Sequence, residues 1–87
     1  MFDKFFKQVF KSRKLYSEEE AQEMKVQIEK LQEDNKIRET QVAKLNGLVQ
    51  QDPVNGERYK KRIDVHNRII KDNEETIQDL EIKLLDS

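Results

Sequence analysis

The apolar positions of this chain fall into three successive patterns. In residues 1–16, MFDKFFKQVFKSRKLY, the side chains of Phe2, Phe5, Phe6, Val9 and Phe10 recur at the i, i+3, i+4, i+7, i+8 spacing of one helical face, while Lys4, Lys7, Lys11, Arg13 and Lys14 make the remainder basic. From Ala21 a heptad takes over, with Ala21, Ile28, Asn35, Val42 and Val49 at a and Met24, Leu31, Arg38 and Leu45 at d. A second heptad runs through Tyr59, Ile63, His66, Ile70, Asn73, Ile77, Leu80 and Leu84. Its a series is Ile63, Ile70, Ile77, Leu84.

The breaks between these patterns carry helix punctuation. Ser17-Glu18-Glu19-Glu20 reads as a capping box, the Ser hydroxyl taking the amide of Glu20 and the Glu20 side chain reaching back to the cap amide. Gln51-Asp52-Pro53-Val54-Asn55-Gly56 supplies a proline with no amide donor and an Asn-Gly pair suited to positive φ. The pattern therefore predicts an all-α chain: a basic, Phe-rich amphipathic helix over 1–16, a coiled-coil helix over 17–51, a turn at 52–56 and a second coiled-coil helix over 57–87.

Folding the two heptads back through this turn, with opposed residue numbers adding to 108, makes every a face a d. Val49 meets Tyr59, Leu45 meets Ile63, Val42 meets His66, Leu31 meets Ile77, Ile28 meets Leu80 and Met24 meets Leu84. The same register sets Asn35 opposite Asn73, so two core amides bond each other where a lone buried amide would cost about 1–3 kcal/mol. Such a pair sets the register. The rival, one continuous helix in a parallel dimer, would carry Pro53 in its interior at about 3 kcal/mol. An antiparallel helical hairpin is the expected architecture.

Composition fits this reading. With 40% charged and 34% hydrophobic residues, two glycines, one proline and no tryptophan, there is little material for a globular core and none of the bias of a disordered tail. Two helices alone make a marginal structure. Val26, Ile37 and Leu48 on the first helix, with Val65, Ile69 and Ile82 on the second, offer further apolar area, and a homodimer, built as a helical bundle, is expected from them.

Charge is segregated. Residues 1–16 carry a net +4 and residues 35–71 a net +5, the latter with Lys44, Arg58, Lys60, Lys61 and Arg62 at the hairpin tip, while 17–34 and 72–87 are each −5. The tip is a candidate anion-binding surface. Nucleic acid is disfavoured as its partner, because the chain has no basic domain charge and coiled coils are rich in Lys and Arg in any case.

No catalytic residue and no metal or cofactor site is expected. The sole histidine, His66, falls in the helix seam, and no HExxH spacing, EF-hand loop, phosphate-loop glycine pattern or nucleophile with a base is present. No apolar run reaches the roughly 18–20 residues that span a bilayer, and charges interrupt the N-terminal apolar residues where a signal peptide needs an unbroken core of about 7–15. Without cysteine, disulfides and thiolate metal sites are excluded. These features lead to a cytoplasmic protein, peripheral at a membrane.

Function then rests on residues 1–16. A basic, aromatic amphipathic helix suits an in-plane position at a membrane surface, rings in the acyl boundary and lysines at anionic head groups. It also suits the hydrophobic groove of a target protein, as in a small adaptor or inhibitor of the kind phages encode. In a third reading the phenylalanines pack on the coil and complete its core. The first is the expectation, with self-association multiplying the anchor.

Overall fold

The computed structural model describes residues 16–85. The first fifteen residues, including Phe2, Lys4, Phe5, Phe6, Lys7, Val9, Phe10, Lys11, Arg13 and Lys14, lie outside the described residues, as do the last two. Two long helices, α1 (Glu18–Gln51) and α2 (Gly56–Leu85), flank a 3₁₀ turn at Pro53–Asn55, and they pack on each other as a helical hairpin. There is no strand among the described residues.

Local chemistry accounts for the ends. Ser17 has extended backbone (φ −70°, ψ 168°) and its Oγ accepts from the Glu20 amide at 3.1 Å. Three glutamates in the first turn of α1 complement its dipole. The return half of the capping box differs from expectation: the Ser17 hydroxyl donates to Glu20 Oε1 at 3.3 Å. At the other end Asp52 closes α1, its amide donating to the Leu48 carbonyl at 2.8 Å. Asn55 Nδ2 and the Tyr59 hydroxyl both donate to Asp52 Oδ2, at 2.8 and 3.3 Å. One carboxylate thus ties the turn to α2.

Positive φ at Asn-Gly is not used. No described residue has positive φ, and Gly56 is helical at φ −54°, ψ −43°. The reason is Pro53, whose fixed φ of about −65° suits the first turn of a helix, so the chain reverses through a 3₁₀ turn and not through a primed hairpin turn. Gly56 is buried, but its small size is not required there: an added Cβ would lie 3.9 Å from Val49 Cγ1, an ordinary van der Waals contact.

Burial follows the heptads residue by residue. Every a and d position from Ala21 to Leu84 is buried or half-buried, and the other helical positions are exposed save Asp34, Gly56 and Ile69. Met24, Ile28, Ile77 and Leu80 form a cluster of buried residues, with Tyr16, Leu31 and Leu84 against it. The start of α1 therefore lies on the end of α2. No side chain among the described residues is sealed to below 2% exposure, as expected where the core they form is a single layer between two helices.

The hairpin has two unlike flanks. One groove runs between Gln32, Asn35, Lys36 and Glu39 of α1 and Glu74 and Ile77 of α2. Another lies between Glu20, Glu23, Met24 and Gln27 of α1 and Leu80 and Lys83 of α2, beside Tyr16. In heptad terms the first flank carries the e positions of both helices and the second the g positions. The six aliphatic residues outside the seam separate accordingly: Ile37, Leu48, Val65 and Ile69 stand at g or c positions on the second flank, whereas Val26 and Ile82 stand at f positions on the outer surfaces of their own helices.

Candidate functional site

Midway along the seam the aliphatic layers give way to a polar one. Asn35 is buried, and Asn73 Nδ2 donates to its Oδ1 at 2.8 Å. The second hydrogen of Asn73 Nδ2 goes to Asp34 Oδ2 at 2.9 Å. That same carboxylate oxygen accepts from Arg38 Nε at 2.8 Å, one turn along α1. Arg38 Nη1 in turn lies 3.1 Å from His66 Nδ1. Guanidinium only donates, so His66 is the acceptor there and carries its ring proton on Nε2. Among the described residues no buried side-chain polar atom lacks a partner.

The electrostatics follow from these bonds. Asp34 has its carboxyl pKa held below the ordinary 3.8, first by the Arg38 hydrogen bond and then by that from Asn73, against a smaller opposing effect of desolvation. Chemically the arrangement orients and does not activate. The His66 nitrogen nearest a charged group is occupied by a guanidinium N–H, and the only carboxylate of the network is tied to Arg38 and Asn73.

Sequence reasoning placed Asn35 opposite Asn73 and the structure brings them together. It set His66 against Val42, but the ring's polar partner is Arg38, because a side chain of that length reaches a full turn from its own layer. Asp34, at a flanking position, was missed. Its signal was the spacing of an acidic residue four before Arg38 on one helix.

The basic tip is a set of exposed side chains and not a cleft. Lys44, Arg58, Lys60, Lys61 and Arg62 are all exposed. Lys60 stands 3.9 Å from Glu57 in a solvent-exposed pair worth little. Lys61, Arg62, Val65 and His66 border a shallow apolar hollow on α2. Among the described residues no group of three or more acidic, His or Cys side chains is placed to hold a metal ion, and no helix is long and apolar enough to cross a membrane.

Comparison with known proteins gives no match to a family model, a curated protein or a solved structure. Function has to be argued from this chain alone.

Proposed function

We propose that this chain is a non-catalytic coiled-coil protein that self-associates and tethers or scaffolds through its N-terminal amphipathic helix at the cytoplasmic surface of a membrane. The observation that carries this reading is the sequence of residues 1–16, where all four phenylalanines of the chain fall with Val9 at the spacing of one helical face and five basic residues stand among the other positions. The hairpin then gives spacing and valency. Its Asn35–Asn73 pair sets the register, since sliding one helix by a layer would bury each amide against aliphatic neighbours. Avidity from two copies offsets the modest affinity of a single short anchor.

The decisive experiment is flotation with anionic liposomes, comparing the full chain with residues 17–87 at low and moderate salt. Flotation of the full chain alone is expected. If neither floats, the tether is wrong, and the same aromatic face becomes a ligand for a protein groove, for which the i, i+3, i+4, i+7 anchors are equally suited. Phe5→Glu and Phe6→Glu separate both from a packing role. A docking face predicts a folded variant that no longer binds, whereas core phenylalanines predict a fall in melting temperature.

A further inference from the structure

The flank that carries the g positions is ordered along its length. Because Asn35 and Asn73 are paired, residue n of α2 lies level with residue 108 − n of α1. On that scale Asp34 and Asp72 stand at levels 34 and 36. The aliphatic residues Ile37, Ile69, Val65 and Leu48 follow at 37, 39, 43 and 48. Lys44, Arg62 and Arg58 occupy 44, 46 and 50. The flank thus runs from an acidic end to a basic end, with aliphatic residues between levels 37 and 48 that share the middle with Gln41 and overlap the basic residues, and the whole set is centred near level 42. The opposite flank has no apolar middle: its e positions are Lys25, Gln32, Glu39 and Asn46 on α1 and Lys60, Asn67, Glu74 and Glu81 on α2, none of them aliphatic.

We infer that this flank is the surface on which a second copy of the chain docks, by a two-fold axis that crosses the hairpin near residue 42 at right angles to its length. The inference rests on the self-association proposed above and names its interface. A two-fold interface must be complementary to itself, and an acidic-to-basic order becomes so when it is reversed end to end. The operation pairs level 34 with level 50 and α2 with α2, bringing Arg58 of each copy beside Asp72 of the other. It also pairs level 37 with level 47. The axis lays α1 on α1 and α2 on α2, so Ile37, 54% exposed, meets Leu48 of the other copy. Val65, 52% exposed, and Leu48, 38%, are covered in the same step. Overlap from about level 30 to the turn is about 36 Å long and about two helix diameters wide, about 700 Å² per copy, close to the roughly 800 Å² per partner of an ordinary stable interface.

The test is sedimentation equilibrium of the full chain, with circular dichroism to check folding. Wild type is expected to be a dimer. Val65→Glu, on the apolar flank, is expected to weaken dimerisation by more than about tenfold with helicity retained, while Ala43→Glu, on the polar flank, leaves it unchanged. Arg58→Glu and Asp72→Arg are each expected to weaken the dimer by about threefold to tenfold, and the double variant to recover most of the loss. These two residues are 14 positions, about 21 Å, apart along α2, so rescue reports a contact between copies. A dimer indifferent to Val65→Glu, or charge variants without rescue, would overturn this interface while leaving self-association intact. A monomeric wild type overturns both. In such a monomer, a fall in melting temperature on Val65→Glu would assign the flank to the chain's own first fifteen residues.

Discussion

Asn35 is the buried polar side chain of a seam that is otherwise aliphatic over most of its length, and its acceptor is met by a donor from the other helix. Asn73→Ala removes that donor and leaves the Asn35 amide buried, so a loss of about 1–3 kcal/mol in urea unfolding is expected. Replacing both residues with leucine removes donor and acceptor together and is expected to hold or raise stability. What the double variant forfeits is the penalty on misregistered pairing, which would appear as broadened side-chain NMR signals. Asp34 gives a pH dependence of definite sign. Its carboxyl is depressed below 3.8 in the folded chain by Arg38 and Asn73, so the unfolded chain binds the proton more readily. The stabilisation is therefore present above about pH 4 and is lost as pH falls through the lower folded value. Asp34→Asn, compared with wild type at pH 7 and pH 3, is expected to flatten this acid limb. The Asn pair was legible because two short side chains at facing core positions have no other reach. The Arg38–His66 contact was not, because heptad notation records where a Cβ lies and not how far a guanidinium extends.

At the scale of the elements, each helix owes its limits to particular residues. Ser17 with Glu20, and Pro53 after Asp52, announced the start of α1 and its stop in the sequence, since each answers a backbone hydrogen-bonding need with a local side chain or ring. The conformation of the turn was misread. Asn-Gly favours positive φ where two strands must reverse in two residues, but a helix can restart directly after a proline-led 3₁₀ turn, and Gly56 then has ordinary helical angles. The glycines are consequently ballast in the helices. Gly47 lies in the interior of α1 with nothing within 4 Å of an added Cβ. Gly47→Ala is expected to stabilise by about 0.5–1 kcal/mol, a rise in melting temperature of about 2–8 °C by calorimetry.

For the whole molecule, a core of one layer between two helices leaves much of its stability to what covers the flanks. With the second copy docked as proposed, stability is coupled to concentration, and the melting temperature is expected to rise on going from micromolar to hundreds of micromolar chain. Val65→Glu should abolish that rise. Charge segregation was visible in the sequence as net balances of successive segments, yet the distinction between flanks was not. It needs the register and the side of the seam together, which separate Ile37, Leu48, Val65 and Ile69 from Val26 and Ile82.

The hairpin also has a mechanical direction. Ser17 and Leu85 lie at the same end, beside the Met24, Ile28, Ile77 and Leu80 cluster, while the turn is at the far end. A pull applied between the two chain ends therefore peels the helices apart one layer at a time, starting at that cluster and passing next through the Asn35–Asn73 layer. A pull between the N-terminal end and the turn instead loads α1 along its axis and leaves every layer closed. A load borne at the tip would be carried by an intact rod, and one borne at the C-terminus would unzip it.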